Sequence, residues 1–330
     1  MNPRAVLVVR PDRIGDVVLT TPVFRALKHA WPATRVGALV RPAVAPLLEG
    51  NPDVDAVVLE RGQSLGELTG ELRAGGWEAS VHAFLTPRTV LAAALARIPR
   101  RIGPASKLPA LLLTERVVQK RSHSLRHEAD YNLELLAPLG IPVARYATRI
   151  ELSAAEREWA RRHLAELGVP AGRAVAAIHP GSGNSAGRWP SDRFAALAER
   201  LAAAGTAVLL TYGPEETELA DRMNAVMRTH VPVVPPGSVT LRQMAAIVST
   251  LSLFVGNSTG PLHIAVALDV PTVSFYTLTP ATRPSRWGPY ASGHVVLTPP
   301  DTPGTLTRLD QVSVDAAFDA CRRQLARAGV

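Results

Sequence analysis

The apolar run Ala5-Val6-Leu7-Val8-Val9 leads directly into the polar loop Arg10-Pro11-Asp12-Arg13-Ile14-Gly15-Asp16, and this junction indicates the fold class of the 330-residue chain. Five apolar residues bounded by a turn predict a short strand buried on both faces. After the loop, Val17, Thr20, Phe24 and Leu27 recur at helical spacing. A strand, a loop and a helix in this order predict the first unit of a parallel α/β sheet.

The same alternation continues through both halves of the chain. Strand-like runs occupy 35–40, 54–59, 80–84, 174–178, 206–211, 251–255 and 272–275, and helical patterns occupy 153–167, 192–204, 214–227, 240–250, 261–268 and 314–326. Ser153-Ala154-Ala155-Glu156 has the form of a capping box that begins a helix. We therefore predict an α/β protein with two Rossmann-like domains, 1–155 and 156–330, facing each other across a cleft. We expect the last helix to pack back on the first domain.

Composition narrows the class of protein. A hydrophobic content of 47% suits a globular chain with sizeable cores, and Cys321, the only cysteine, excludes an internal disulfide. No apolar run reaches the ~18–20 residues of a membrane span, so a cytoplasmic location is expected. The net charge of +8 favours either an anionic partner or a solvated basic face. Nucleic acid is not expected, because aromatic residues do not alternate with the basic residues. These are densest at Arg97, Arg100, Arg101, Lys107, Arg116, Lys120, Arg121 and Arg126.

Two glycine- and serine-rich loops follow predicted strands of the second half. The first, 179–185, contains Ser182, Gly183 and Ser185, with Arg188 just beyond it. The second, 256–263, begins a helix at Gly260-Pro261 and carries His263 on its first turn. Loop N–H groups and a helix N-terminus favour phosphate, so two such loops fit a diphosphate. Turn formation alone, a capping role for Ser258 or Thr259, and a structural role for His263 remain alternatives.

Two acidic features belong to the first half. Asp16 stands at the start of the first helix, where it is either a first-turn carboxylate or a general base at the mouth of the sheet. Asp53-Val54-Asp55 has the form of an Asp-x-Asp metal site but follows Asn51-Pro52, which predicts a turn. No cluster of His and Cys offers another metal site. We therefore expect no metal.

Five motifs in order resemble glycosyltransferase family 9, the ADP-heptose:lipopolysaccharide heptosyltransferases, over nearly the whole chain. They are Arg13-Ile14-Gly15-Asp16 with Val17 to Pro22, Asn51 to Asp55, His127-Glu128-Ala129-Asp130-Tyr131 with Leu139-Gly140-Ile141, His179 to Gly183 with Arg188-Trp189-Pro190, and Gly256 to His263. The resemblance implies the GT-B fold. It also implies an inverting, metal-independent enzyme, without a cofactor, that moves a heptose-like sugar from an ADP-sugar to a lipopolysaccharide-core or other cell-surface glycan.

The resemblance also assigns candidate residues. Asp16 matches the catalytic base, and the donor would be bound by Ser182, Gly183, Arg188, Glu216, Ser258, Thr259, Gly260 and His263. Glu216 looks like the carboxylate that accepts from the ribose hydroxyls, although it is equally a first-turn helix acid. An anionic glycan or glycolipid acceptor, and contact with the cytoplasmic face of the inner membrane, would suit the basic first half. The candidate acceptor-binding residues are Arg10, Arg13, Arg97, Arg100 and Arg101.

Two positions depart from the family pattern, and two other function classes stay open. Gly187 stands where the family usually has Lys, and Ser258 stands where it often has an acid. A lost carboxylate removes strong hydroxyl acceptors, so the transferred sugar need not be heptose. An epimerase or hydrolase of nucleotide sugars with the same fold would share the phosphate loops. A non-catalytic anion-binding protein would tolerate the loss of Asp16.

Overall fold

The computed structural model describes residues 2–183, 187–213, 216–229, 231–235 and 237–327, without the side chain of Asn224. Ser185 and the predicted helix start at Pro214 lie outside these ranges. The chain divides into two compact units, Met1–Glu151 and Leu152–Val330. Each unit is built on one six-stranded parallel sheet. Among the described helices, none combines the length and the apolar character needed to cross a bilayer.

The first unit has the strand order β3-β2-β1-β4-β5-β6. Its strands are β1 (Ala5–Val9), β2 (Arg35–Val40), β3 (Ala56–Leu59), β4 (Ala79–His82), β5 (Arg100–Pro104) and β6 (Glu115–Val117). Its helices are α1 (Ile14–Val18), α2 (Thr21–Ala30), α3 (Leu65–Ala74), α4 (Pro87–Leu95) and α5 (Glu128–Glu134). All five residues of β1 are buried, as the apolar run predicts for a central strand.

The second unit has the strand order β12-β11-β10-β7-β8-β9. Its strands are β7 (Val175–His179), β8 (Ala207–Thr211), β9 (Val233–Val234), β10 (Leu253–Asn257), β11 (Thr272–Phe275) and β12 (Val295–Leu297). Its helices are α6 (Ala154–Glu166), α7 (Ser191–Ala203), α8 (Thr217–Val226), α9 (Leu241–Val248), α10 (Gly260–Ala267), α11 (Pro284–Trp287) and α12 (Val314–Arg327). Helix α12 packs on α7 and on the sheet of its own unit, with Cys321 fully buried. That it also returns to the first domain remains a prediction.

An aromatic cluster fixes the chain between β7 and α7. The ring of Trp189 stacks on Phe275 with centroids 4.2 Å apart, and its edge meets Phe194 at 4.8 Å. The indole Nε1 donates to the carbonyl oxygen of Val312 at 2.9 Å. The Trp side chain is 1% exposed, so it anchors the segment that carries Arg188.

The observed elements differ from the predicted ones in two respects. The first helix is divided into α1 and α2, because the Thr20 hydroxyl bonds back to the carbonyl oxygen of Asp16 at 2.8 Å and Pro22 brings no N–H. The sequence pattern does not predict β5, β6, β9 and β12. Three of these lie at sheet edges and have only two or three residues, and β5 begins with two arginines, so none shows an apolar run.

Candidate active site

Asp16 lies in the first turn of α1, just after the loop that follows the carboxyl end of β1. Strand β1 pairs with β2 on one side and β4 on the other. The chain runs from β1 to β2 on one side and from β4 to β5 on the other, and open parallel sheets bind ligands at such a switch point. The loop is held by Arg10, whose backbone N–H donates to the carbonyl oxygen of Leu39 at 2.9 Å.

A buried network of charges surrounds the Asp16 carboxylate. The guanidinium of Arg10 forms an ion pair with Asp16 and lies 3.3 Å from the Glu128 carboxylate. Its Nη1 also donates to the carbonyl oxygen of Ala83 at 2.9 Å. Arg121 contacts the same carboxylate oxygen of Glu128, with Nη1 at 2.6 Å from Oε1. Arg10 and Glu128 are 3% and 1% exposed, so these charges compensate each other away from water.

The network sets the protonation behaviour of Asp16. Burial raises the pKa of the Asp16 carboxyl group, and Asp12 and Glu128 act in the same direction, whereas the charge of Arg10 lowers it. Burial opposes the charge of Arg10, but the surrounding carboxylates raise its pKa above the ordinary value. A carboxylate with a raised pKa beside a permanent cation has the properties of a general base.

Helix α5 supplies residues that sequence reasoning left without a role. The His127 ring caps this helix by accepting from the N–H of Ala129 at 3.1 Å, which places Glu128 and Asn132 toward β1. The Asn132 amide donates to the carbonyl oxygen of Leu19 at 3.2 Å and faces Arg10 at 3.5 Å. The motif around His127 was visible in the sequence, but its contact with Arg10 spans more than 110 residues.

The predicted acceptor-binding arginines do not lie together. Arg13 is exposed in the Asp16 loop, whereas Arg100 and Arg101 begin β5 at the amino end, about 13 Å along the strand from its carboxyl end. Arg100 forms a bidentate pair with Glu115, with both distances 2.8 Å. Arg101 donates to the carbonyl oxygens of Leu112 and Ile98 at 2.9 and 2.6 Å. Arg97 directly precedes β5 and shares its amino end. The structure therefore brings Arg10 and Arg13 to Asp16 at the carboxyl end of β1. It leaves the other three arginines at the amino end of β5.

In the second unit, the loops after three neighbouring strands meet. Strands β10, β7 and β8 are adjacent, so the loops that follow Asn257, His179 and Thr211 share one edge of the sheet. Asn257 links two of them: its amide donates to the carbonyl oxygen of Pro180 at 2.7 Å, and its Oδ1 accepts from Trp189 N at 3.0 Å. Asn257 stands within one of the five family motifs, but its bridging role is not readable from the sequence.

The Glu216 carboxylate lies within the loop predicted to hold phosphate. It accepts from the N–H groups of Ser182, Gly183 and Gly213 at 2.8, 3.0 and 2.9 Å. Although burial opposes its charge, these N–H groups and the nearby His179 lower the pKa of Glu216. A Cβ on Gly181 would lie 1.7 Å from Glu216 Oε2, so only glycine allows this approach. The loop therefore binds an anion, and in the structure that anion is a side chain.

The N-terminus of α10 lies beside this loop system. Thr259 occupies the capping position, but its side chain makes no capping bond and is 7% exposed. Within the described part of the chain, Thr259 Oγ1 has no hydrogen-bond partner. His263 is buried one turn into the helix, where its backbone N–H donates to the carbonyl oxygen of Thr259 at 3.4 Å. Ser258 is hydrogen-bonded to the Tyr276 hydroxyl.

The segment around Gly187 accounts for one departure from the family pattern. A Cβ at Gly187 would lie 2.4 Å from Thr277 Cγ2 and 3.4 Å from Leu309 Cδ1. A lysine at this position therefore requires Thr277 to move. The Nε of the neighbouring Arg188 donates to the Ser182 hydroxyl at 2.7 Å. Arg188 therefore brings a positive charge to the loop after β7, which Glu216 also contacts.

Asp53 and Asp55 belong to a turn, as their context predicts. Asn51 Oδ1 accepts from Asp53 N at 3.0 Å, and Asp55 Oδ2 accepts from Val36 N at 2.7 Å. Asp55 also pairs with Lys28 at 2.6 Å. Over the ranges that the structure describes, no three His, Cys, Asp or Glu side chains converge as a metal-binding group.

Comparison with known proteins agrees with this arrangement. Residues 79–305 match glycosyltransferase family 9 (heptosyltransferase). A Haemophilus influenzae protein inferred to be a glycosyltransferase is 30% identical over 329 residues, which cover 95% of this chain and 94% of that protein. An Escherichia coli lipopolysaccharide heptosyltransferase 3 is 26% identical over 85% of each chain. The structure of the E. coli ADP-heptose lps heptosyltransferase II has a TM-score of 0.86 at 20% identity, over 100% of both chains. With two Rossmann-like units and a family match over most of its length, the chain belongs to glycosyltransferase family 9 and is a glycosyltransferase with the GT-B fold.

Proposed function

We propose that the protein is an inverting, metal-independent heptosyltransferase that uses ADP-heptose and a hydroxyl group of a lipopolysaccharide-core acceptor. The names of the E. coli relatives, a lipopolysaccharide heptosyltransferase and an ADP-heptose lps heptosyltransferase, support the choice of donor and acceptor. The observation that carries the proposal is the largely buried Asp16 at the switch point of the first sheet, ion-paired with Arg10.

In the proposed reaction, Asp16 takes the proton of the acceptor hydroxyl. The freed oxygen attacks the anomeric carbon from the face opposite the diphosphate, the bond from that carbon to the phosphate oxygen breaks, and ADP leaves with the electron pair. Arg10 opposes the rise in the pKa of Asp16 that burial causes, and Glu128 with Asn132 holds Arg10 in place. Proton transfer to a positioned base contributes about 10²–10⁴-fold to the rate of such reactions.

The donor diphosphate is proposed to bind at the N-terminus of α10. The N–H groups of Thr259 and Gly260 and the helix dipole favour an anion there, and the buried Thr259 hydroxyl supplies one more donor. Buried hydroxyl groups normally find a partner, and a phosphate oxygen would satisfy this one. His263, Ser258 and Arg188 border the same region, and we propose that Arg188 stabilises the charge of the departing ADP in place of a metal ion.

Glu216 is proposed to hold the loop and to accept one ribose hydroxyl. A carboxylate offers about four lone-pair sites, and the N–H groups of Ser182, Gly183 and Gly213 use three of them. The remaining site is open to a ribose hydroxyl. Phosphate and carboxylate compete for the same donors, and the N–H groups of Ser182 and Gly183 donate to Glu216. Ser182 would therefore contact the donor through its hydroxyl group.

The acceptor is proposed to bind the first unit beside Asp16. Arg13 is exposed in the same loop and would meet the anionic groups of the glycan, whereas Arg10 is committed to Asp16 and Glu128. The proposal places the reaction in the cytoplasm, with contact to the inner face of the membrane where a glycolipid acceptor resides.

A transfer assay tests this function. ADP-heptose and a deacylated lipopolysaccharide-core acceptor are incubated with the enzyme, and ADP release and product mass are measured with and without EDTA. Transfer that survives EDTA is expected, and Asp16→Asn should reduce kcat by about 10²–10⁴-fold. Asp12→Asn, in the same loop, should retain most of the activity. Transfer only from a UDP-sugar, or full activity of Asp16→Asn, would contradict the proposal.

A further inference from the structure

Exposed apolar side chains of this protein are concentrated in one segment. Of the nine large apolar side chains that are exposed among the described residues, six lie between 95 and 125, and they are 38% to 84% exposed. These six are Leu95, Leu108, Leu111, Leu112, Val118 and Leu125. Single exposed apolar residues are ordinary, whereas a group of them bordered by charge marks an interaction surface.

The same segment carries nearly all of the net charge. Between residues 95 and 126 there are eight Lys and Arg against Glu115 alone, a net charge of +7 in a chain whose total is +8. Glu115 is already paired with Arg100. Across the described ranges, no carboxylate forms an ion pair with Lys107, Arg116 or Lys120. The segment is therefore apolar and strongly positive at once.

Two parts of this segment adjoin each other in the fold: the chain that follows β5, and β6 with the chain that follows it. The N–H of Ala105 donates to the carbonyl oxygen of Val117 at 2.8 Å, which joins the chain after β5 to the last residue of β6. Strand β6 is the edge of its sheet. We define the 107–125 surface as the exposed leucine, valine, lysine and arginine residues of this stretch: Lys107, Leu108, Leu111, Leu112, Arg116, Val118, Lys120 and Leu125.

Both parts of the 107–125 surface lead to the network around Asp16. Lys107 Nζ lies 5.4 Å from the centre of the Phe84 ring, and the guanidinium of Arg10 lies 5.8 Å from the same ring. On the other side, Arg121 contacts Glu128, which contacts Arg10. The surface therefore borders the candidate site of the first unit.

We propose that the 107–125 surface docks on an anionic phospholipid leaflet, with its leucines in the acyl boundary and its lysines and arginine among the headgroups. Leucine with lysine and arginine is the composition of interfacial membrane-binding segments, and anionic lipids attract clustered positive charge. A protein interface is a poorer fit, because such interfaces are depleted in lysine and in unpaired charges of one sign. Only the purpose of this docking, to bring a membrane-bound acceptor to Asp16, rests on the proposed function.

Vesicle co-sedimentation of the full-length protein tests the surface without any assay of catalysis. Binding is expected to vesicles containing phosphatidylglycerol, to weaken when salt is added, and to be much weaker to pure phosphatidylcholine. The triple variant L108S/L111S/L112S should bind at least about tenfold more weakly. The variant K107Q/R116Q/K120Q should lose the preference for phosphatidylglycerol.

Matched controls lie elsewhere on the molecule. V57S/V143S/V226S replaces three other exposed apolar residues, and R162Q/R173Q/R322Q replaces three other exposed arginines. Both controls should bind vesicles like the wild type. Circular dichroism and melting temperature verify that each variant is folded, which is expected because the substituted side chains are exposed.

Several outcomes overturn the proposal. These are no binding of the wild type to anionic vesicles, unchanged binding of L108S/L111S/L112S, or an equal loss in the controls. A change of oligomeric state in the leucine variant, measured by sedimentation velocity, would assign the surface to contact between copies of the chain instead. Activity on a deacylated soluble acceptor should be unchanged in the leucine variant. A wild type that binds vesicles but transfers no heptose would leave the surface standing and refute only the proposed function.

Discussion

Arg10 and Asp16 form an ion pair at the carboxyl end of β1, although Arg10 is only 3% exposed and Asp16 is largely withdrawn from water. Burying two charges costs free energy that their mutual attraction offsets only when further hydrogen bonds complete the arrangement. Ala83, Glu128 and Asn132 accept such bonds from Arg10 Nη1, whereas the buried Arg10 Nε has no hydrogen-bond partner among the described residues. The ion pair therefore favours the charged form of the Asp16 carboxyl group at the carboxyl end of β1. Only this charged form can act as a base.

The pH dependence of activity should change when Arg10 is replaced. Burial raises the pKa of Asp16 and Arg10 opposes this rise, so Arg10→Gln raises the pKa further and leaves less carboxylate ionised at a given pH. Because the base acts in its ionised form, the acidic limb of the kcat profile should move to higher pH. Arg10→Lys keeps the charge and should leave the limb near its original place. Arg13→Gln, in the same loop but exposed, is the control, and an unmoved limb in Arg10→Gln would contradict the assigned role.

Removal of the Thr259 hydroxyl should have opposite effects on stability and on nucleotide binding. Thr259→Val removes a buried hydroxyl that has no partner among the described residues, so the melting temperature should stay the same or rise. Affinity for ADP should fall about tenfold, because a hydrogen bond to a charged phosphate is lost. The measurement is a thermal shift titrated with ADP.

Thr34→Val provides the matched control for this prediction. The Thr34 hydroxyl is buried in the first unit and donates to the carbonyl oxygen of Pro3 at 2.8 Å. Its loss should lower the melting temperature and leave the affinity for ADP unchanged. Equal ADP affinity of Thr259→Val and wild type would remove Thr259 from the donor site.

A side chain at position 187 should conflict with Thr277. The Cβ of Gly187→Ala would lie 2.4 Å from Thr277 Cγ2, so this variant should be destabilised by about 1–3 kcal/mol. Thr277→Ser removes the methyl group and keeps the hydroxyl bond to Thr282. The double variant should therefore recover most of the loss, and melting temperatures of all four proteins give the coupling. Additive losses would show that Thr277 is not the obstacle.

The pair of Glu156 and Arg242 should make stability depend on acid pH. Arg242 of α9 donates to Glu156 at 2.5 and 3.1 Å, and this hydrogen bonding, together with the capping of α6 by Ser153, lowers the pKa of Glu156 to about 2. A lowered carboxyl pKa stabilises the fold above the ordinary value of 4.5, and this contribution is lost as the pH falls toward 2.

Glu156→Gln tests this pH dependence. At pH 7 the free energy of unfolding of the variant should be about 1–2 kcal/mol lower than that of the wild type. This difference should shrink as the pH falls below 4.5. Glu158→Gln changes another acidic side chain of the same helix, one that is 59% exposed. This variant should have no effect on stability at neutral or acid pH. A difference that stays constant with pH would refute the ionic origin.

The predicted and observed site agree where the signal is local. The capping box at Ser153 is confirmed by its two reciprocal bonds to Glu156, of 2.7 and 3.2 Å. The loops after β7 and β10 follow strands and precede helices, as their glycine, serine and proline residues predict. The stacking of Trp189 on Phe275 and the contact between Gly187 and Thr277 are not readable from sequence, because each joins residues more than 80 positions apart.

The alternation of strands and helices over most of the chain was determined by the sequence itself, because hydrophobic periodicity, capping and turn chemistry act over a few neighbouring residues. The family and the candidate base followed from the resemblance of five sequence motifs. Only the tertiary structure decided which charges meet. It brought Glu128 and Asn132 to Arg10 across 118 and 122 residues and filled the loop at Ser182 with the carboxylate of Glu216. It also left Arg100 and Arg101 at the far end of β5. The energy of a charge depends on its burial and its partners, and both are fixed by contacts that the chain makes only once it is folded.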